Sequence, residues 1–283
     1  MSAGLPHLGL GSGWRAELAL PIERRPDLGF VEVMAEDLHP GHRIPAPIER
    51  LRQRGMAVVP HGVSLSLGGA EPLDEGRLTA LGQLANRVQA PLVSEHIAFV
   101  RAAGVEAGHL LPLPRTAAAL DTVVANARRA REALPVPLAL ENVATLFEWP
   151  EAEMHEAAFV TEVLERAEVL LLLDLANVHA NAHNHGWDPV QFLERIPLER
   201  LAYVHVAGGI ERDGLYHDTH AHPILPAVLD LLEELCARVS VPGVLFEHDD
   251  HYPTDAEWNA AMDAIAAAVA RGNLRREACH AAR

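Results

Sequence analysis

A residue able to bind metal closes one apolar run after another along this chain. His61 ends AVVPH, His96 ends PLVSEH, Glu141 ends PLALE, Asp174 ends VLLLLD, His205 sits in LAYVHV and Glu247 in GVLFE. Asp218 and His220 follow together, in the segment after the His205 run. Short apolar runs bounded by turns and helical stretches read as buried parallel strands. In a closed parallel barrel the C-terminal ends of all strands converge on one mouth. Ligand-type residues at so many of those ends make a ring, and the ring points to a multinuclear metal site.

Eight strand-like runs are expected, at 7–10, 29–34, 57–61, 91–96, 137–142, 169–174, 201–206 and 243–248. Amphipathic stretches at 75–88, 116–134, 155–167 and 224–238 lie between them, and Pro and Gly mark the boundaries. Alternating β and α units imply parallel strands with right-handed crossovers. Eight such units imply one α/β domain, a single (β/α)8 TIM barrel over residues 1–283. Two connections, 97–115 and 175–190, exceed the usual 2–6 residues of a βα loop. Both follow strands that end in candidate ligands, and both are expected to be substrate-contacting or lid elements.

Composition narrows the chemistry. The formal net charge is −16, which argues against a nucleic-acid partner, because binding a phosphate backbone needs clustered Lys and Arg. No lysine occurs anywhere in the chain, so Schiff-base aldolase and pyridoxal-phosphate chemistry are excluded. Cys236 and Cys279 are too few and too far apart for a thiolate zinc site or a disulfide framework. The opening MSAGLPHLGLG has no basic segment before an apolar one, so no signal peptide is expected. No apolar run approaches the length of a spanning helix, and a cytoplasmic location follows as the default.

Taken singly, a histidine at a strand end is more often a hydrogen-bonded core residue than a ligand. Glu141 and Asp174 resist that reading. A buried carboxylate costs several kcal/mol unless it is paired or metal-bound, and no Arg or Lys lies in any of the strand-like runs. Nitrogen and oxygen donors without thiolates suit iron, manganese or zinc. His109, His179, His183, His185, His217, His222, His248 and His251 lie near the expected mouth by sequence, whereas His7, His39, His42, His155 and His280 look peripheral. The pair Gly208-Gly209 is read as a turn.

The order of these residues resembles the xylose-isomerase-like barrels, especially the endonuclease IV type of DNA repair enzyme. That type carries three zinc ions on the same ordered set, with Asp-x-x-His where this chain has Asp174-x-x-Asn177. A closer resemblance is to the multinuclear non-heme iron-dependent oxidative enzymes of ribosomal-peptide maturation, the family of the methanobactin biosynthesis oxidase. It rests on HGVSLSLGG (61–69), SEHIAF (94–99), LLPLPRT (110–116), LENVATLFEW (140–149), LLLDLANVHANAHNHG (171–186), VHVAGG (204–209), DTHAHPI (218–224) and LFEHDD (245–250). Two departures concern the substrate mouth: Ala176-Asn177 stands where the family often has two Asn, and Gly108-His109 replaces a polar pair before LLPLP.

That resemblance implies an O2-dependent oxidase acting on cysteine, or a neighbouring residue, of a ribosomally made precursor peptide. It implies two to three iron ions, mixed-valent Fe(II)/Fe(III), with O2 as co-substrate. By the same resemblance His61, His96, Glu141 and Glu247 surround one ion. Glu141, Asp174, His205 and Glu247 surround a second, with both glutamates bridging, and Asn177, Asp218 and His220 hold a third, more labile one. Glu141, Glu247 and Asp174 would then be the catalytic set. It also implies a separate partner protein that recognises the leader peptide. The alternatives are a zinc- or manganese-dependent hydrolase or sugar isomerase on the same barrel, and a non-catalytic metal-binding protein.

Overall fold

A computed structural model describes residues 7–282. Twelve strands and nine helices alternate within it. In chain order they are β1 (Gly9–Gly13), α1 (Ala19–Arg24), β2 (Leu28–Met34), α2 (Ala46–Gln53), β3 (Ala57–His61), α3 (Glu75–Val88), β4 (Val93–His96), β5 (Phe99–Ala102), β6 (Val105–Leu111), α4 (Ala117–Ala133) and β7 (Leu138–Glu141). Then come α5 (Glu156–Ala167), β8 (Leu170–Asp174), α6 (Leu175–His185), α7 (Pro189–Arg195), β9 (Leu201–Val206), β10 (Ile210–Arg212), β11 (Leu215–His217), α8 (Pro226–Arg238), β12 (Gly243–Phe246) and α9 (Asp255–Ala281).

Eight of the strands close a barrel in the order β1, β12, β9, β8, β7, β4, β3, β2, with parallel pairing throughout. This is the (β/α)8 TIM barrel expected from the alternation of runs. β5 with β6, and β10 with β11, form two-stranded antiparallel ribbons outside it.

Side chains alternate between the barrel interior and the helical ring. The interior is filled by a small cluster including Phe30, Val59, Leu92, Leu172, Tyr203 and Leu245. Helices α2 to α9 cover the outside through a larger apolar layer that contains Ile48, Leu81, Val123, Val163, Leu235 and Trp258. Gly11 is required by this packing, because a Cβ there would lie 2.3 Å from the Phe30 ring. Local signals set the helix ends: Asp74 accepts from Gly76 and Arg77 at the start of α3, and a Thr254/Glu257 capping box opens α9. No described helix is long and apolar enough to cross a membrane.

Three expectations are corrected. The first strand is not 7–10 but Gly9–Gly13, in a stretch whose glycines carry no apolar signal. Residues 97–115 are not a plain loop: they fold as the β5–β6 ribbon. Residues 175–190 contain no loop before the helix at all. Asp174 ends β8 and itself caps α6, accepting from the Asn177 amide at 2.7 Å, and Gly186 stops the helix at φ +71°. The Asn and His content of the segment suggests a loop, but Leu175, Ala176, Val178, Ala180 and Ala182 are buried on the helix's inner side.

Candidate metal centre

Parallel pairing places the expected residues at one end of the barrel. His96 pairs with Glu141 across β4 and β7, and Asp174 with His205 across β8 and β9. His61, Glu141, Asp174, His205 and Glu247 are each at most 5% exposed. One donor atom from each of Glu141, Asp174, His205 and Glu247 lies within 4.8 Å of the others, and the same holds for His61, His96 and Glu141. These six residues, brought together at the ends of six strands though far apart in sequence, form one continuous cluster around Glu141.

The hydrogen bonds fix which nitrogen each imidazole presents. His96 donates Nδ1–H to the Gly62 carbonyl at 3.1 Å, leaving Nε2 3.2 Å from Glu141 Oε2. The Nε2 of His205 lies 2.9 Å from Glu32 Oε2, so its Nδ1 turns inward, 3.3 Å from Glu141 Oε1 and 2.9 Å from Glu247 Oε2. Tyr203 spends its one hydroxyl hydrogen on Glu32 at 2.5 Å. Ser94, 2.7 Å from that hydroxyl, is then free to accept from His61 Nδ1 at 2.8 Å, and His61 Nε2 faces Glu141 Oε2 at 3.4 Å. A histidine oriented by a carboxylate, carbonyl or hydroxyl on its far nitrogen is the usual arrangement of metal-ligating imidazoles.

Lone pairs therefore face lone pairs. Glu141 Oε2, Asp174 Oδ2, Asn177 Oδ1, His205 Nδ1, Asp218 Oδ1 and His220 Nε2 are buried atoms without a hydrogen-bond partner among the described residues. Acceptors this close repel one another unless a cation, proton or metal, lies between them. Without metal, protons must do that work. Burial opposes charge on His96, yet Glu141 and Glu95 outweigh it and raise the imidazole to about 9. His61 is pushed down to about 3 by burial and by His96. Burial and the nearby Asp218 hold Asp174 well above the carboxylate range. Burial also works against Glu247, but His220 and His205 keep it well below that range. The donor set, its burial and its unpartnered atoms fit divalent ions.

The outer part of the site departs from the expected trio. His220, at φ +48°, places Nδ1 3.3 Å from both Glu247 Oε2 and Asp249 Oδ2, and these three form a donor cluster. Asp218 Oδ2 lies 2.7 Å from His220 Nε2. Asn177 donates Nδ2–H to the Asn142 carbonyl at 3.0 Å and leaves Oδ1 unpartnered in the same cleft. Asp249, Glu32 and Arg15 were not expected. Arg15 is paired with Asp249, and Asp249 stands two residues beyond Glu247 in LFEHDD. A glutamate inside the apolar run GFVEVM was the available signal for Glu32. Gly208-Gly209 is more than a turn: a Cβ on Gly208 would lie 2.1 Å from the His222 carbonyl oxygen, so the arm carrying Asp218 and His220 packs directly on it.

A cleft of about 300 Å3 opens above the cluster. Met34, Val63, Leu110, Val143 and Ala144 form its apolar walls, with His109 and Thr219 on its rim.

A family model described as RiPP precursor modification enzyme MbnB/TglH/ChrH matches residues 9–270. A UPF0276 protein of Streptomyces avermitilis is 51% identical over 275 residues, 95% of this chain and 56% of the relative. The chain thus spans little more than half the length of that relative. A UPF0276 protein of Bordetella bronchiseptica is 38% identical over 269 residues, 93% of each chain. Among solved structures, endonuclease IV from Thermus thermophilus superposes with TM-score 0.61 at 17% identity, over 93% of this chain and 99% of that one. An L-ribulose 3-epimerase gives TM-score 0.60 at 15% identity, over 96% and 97%. At such identities the likeness shows the barrel fold alone.

Proposed function

The chain belongs to the MbnB/TglH/ChrH family of RiPP precursor modification enzymes, and from that premise we propose that it is an iron- and O2-dependent oxidase of a cysteine, or a neighbouring residue, in a precursor peptide. One observation supports the multinuclear reading most. The two oxygens of Glu141 face different imidazoles, Oε2 toward His61 and His96 and Oε1 toward His205. A carboxylate so placed would offer one oxygen to each of two ions.

His61, His96 and Glu141 would hold the first ion, and Glu141, Asp174, His205 and Glu247 the second. His220 with Asp218, Asn177, Glu247 and Asp249 would hold a third. Two to three iron ions bound there would supply the redox chemistry with O2 that no side chain of this set provides. The protein's own part is positional. Glu32, Ser94 and the Gly62 carbonyl fix the three imidazoles, so each presents one lone pair inward. Glu141, Asp174 and Glu247 bring negative charge that offsets repulsion between cations a few ångströms apart. The cleft admits a side chain from outside while the barrel interior, packed under Tyr203 and Phe30, closes the cluster to water from below. A cysteine thiol entering there meets a site that favours its deprotonated form once metal is bound. A separate protein that recognises the leader peptide completes the proposal.

The test is anaerobic purification with metal analysis. Reconstitution with Fe(II) follows, then exposure to O2 with a Cys-containing peptide encoded beside the gene. Two or three ions per chain, iron-dependent O2 uptake and a mass change at the cysteine are expected. Protein that takes up no iron and gains no activity on reconstitution overturns the oxidase reading in favour of a zinc or manganese hydrolase or isomerase.

A further inference from the structure

Asn177, Asn181 and Asn184 recur at helical spacing on one face of α6, and the side chains of that face replace ordinary secondary structure for the loop after β7. Asn177 Nδ2 donates to the Asn142 carbonyl, Asn181 Nδ2 to the Val143 carbonyl, and Asn184 Nδ2 to the Thr145 carbonyl, at 2.9–3.1 Å. Asn181 Oδ1 accepts from the Thr145 amide at 2.7 Å. Four backbone polar groups of residues 142–145 are thus satisfied by side chains of one helix, in a segment without strand partners.

Asn184 does something its neighbours do not. Its Oδ1 accepts from the Tyr216 amide at 2.7 Å and its Nδ2 also donates to the Tyr216 carbonyl at 2.9 Å. Tyr216 is otherwise held by the rings of His179 and His183, at centroid distances of 5.0 and 6.2 Å, and its hydroxyl accepts from the Gly209 amide at 2.8 Å. Two residues further on, the chain delivers Asp218 and then His220, in a left-handed conformation that the local sequence does not favour. Beyond Asp218 the arm is also held by the Asp249 amide, which donates to the His220 carbonyl at 2.7 Å, and by the packing of His222 and Pro223 on Gly208.

We propose that Asn184 is a positioning residue for the outer ion: it ties the arm bearing Asp218 and His220 to the same helix whose cap is Asp174. The inference rests on the metal-centre reading above and assigns Asn184 no contact with metal or substrate. Binding of the outer ion would then require that the arm be already in place, and loosening it would weaken that ion alone.

The test compares Asn184→Ala with Asn181→Ala and His220→Ala in the full-length protein, titrated anaerobically with Fe(II), with thermal unfolding followed in parallel. Asn181→Ala removes the same loop's bonds without touching Tyr216, so it controls for general loosening. Asn184→Ala should weaken one ion of the set about tenfold, the equivalent of roughly 1.4 kcal/mol. Asn181→Ala should lower the melting temperature and leave all ions bound as before. If Asn184→Ala unfolds, Asn184→Asp keeps the acceptor for the Tyr216 amide and should show the same selective loss. Unchanged affinity in the Asn184 variants, or an equal loss in Asn181→Ala, overturns the proposal. His220→Ala separates the two levels. If it loses one ion while Asn184→Ala loses none, only the positioning role fails; if it loses none either, the ligand assignment itself has failed.

Discussion

Replacing Glu141 by Gln tests the centre most directly, because the change keeps shape and removes a single charge from its middle. Two interactions with different directions are at stake. A unit charge about 4 Å from another is worth about 4 kcal/mol at an effective dielectric of 20. The carboxylate of Glu247, which His220 and His205 hold ionised against its burial, already repels Glu141 before any ion enters, and relief of that repulsion offsets part of the loss. A net cost of about 2–4 kcal/mol per ion, or roughly 30- to 1000-fold in affinity, is expected. Because Oε2 faces His61 and His96 and Oε1 faces His205, both inner ions should weaken while the outer one is spared.

The metal-free protein offers an independent readout. Glu141 is the largest of the influences raising His96, acting against burial. In Glu141→Gln the His96 imidazole should therefore titrate below the value of about 9 it has in the parent protein, which imidazole NMR resolves. Anaerobic competition titration and elemental analysis after gel filtration give the ion count. Glu247→Gln supplies the contrast, since Glu247 Oε2 lies against His205 and His220: the second and outer ions should weaken first. Glu141→Gln protein that holds both inner ions at parental affinity refutes the shared-carboxylate geometry, and loss of one ion only would reduce Glu141 to a ligand of that ion.

Metal uptake should depend on pH in a definite direction. His96, raised to about 9, carries a proton below that pH which an ion at Nε2 must displace. Affinity for the ion at His96 should therefore rise by about tenfold per pH unit up to about 9 and level off above; a flat profile for that ion between roughly pH 6.5 and 9.5 would contradict the assignment of Nε2 as donor. A second pH effect lies away from the centre. Burial pushes Glu156 up to about 7 from 4.5, against Arg115 and the Asn181 amide. Since the folded value exceeds the unfolded one, stability is full below about pH 4.5 and is lost as pH rises through about 7, by at most about 3 kcal/mol. Glu156→Gln should accordingly melt at a higher temperature than the parent above pH 8 and at the same temperature near pH 4, by calorimetry; coincident profiles would show that Glu156 is solvated enough to ionise freely.

The ring was legible in the sequence because topology does the sorting. When the strands are parallel and the runs short, a residue that ends a run in the chain also ends a strand at the mouth, so His61, His96, Glu141, Asp174 and Glu247 could be placed without coordinates. The same regularity gave β3, β9 and α3 their observed bounds. Where function is carried by something other than a run's end, the pattern fell silent. Glu32 sits in mid-strand, and its role depends on Tyr203 and His205 reaching it across the barrel from β9. Asp249 matters only because the His220 arm folds back onto it. α6 was hidden by its own chemistry: asparagines that signal turns when their side chains serve local backbone here serve a distant loop, and that choice is made by tertiary packing. Which oxygen of Glu141 meets which imidazole belongs to the same class. It is set by Ser94, the Gly62 carbonyl and Glu32, each of which spends one histidine nitrogen and so aims the other. The sequence thus shows that donors gather at the mouth, whereas the partners of the far nitrogens decide which atom each imidazole turns into the cluster.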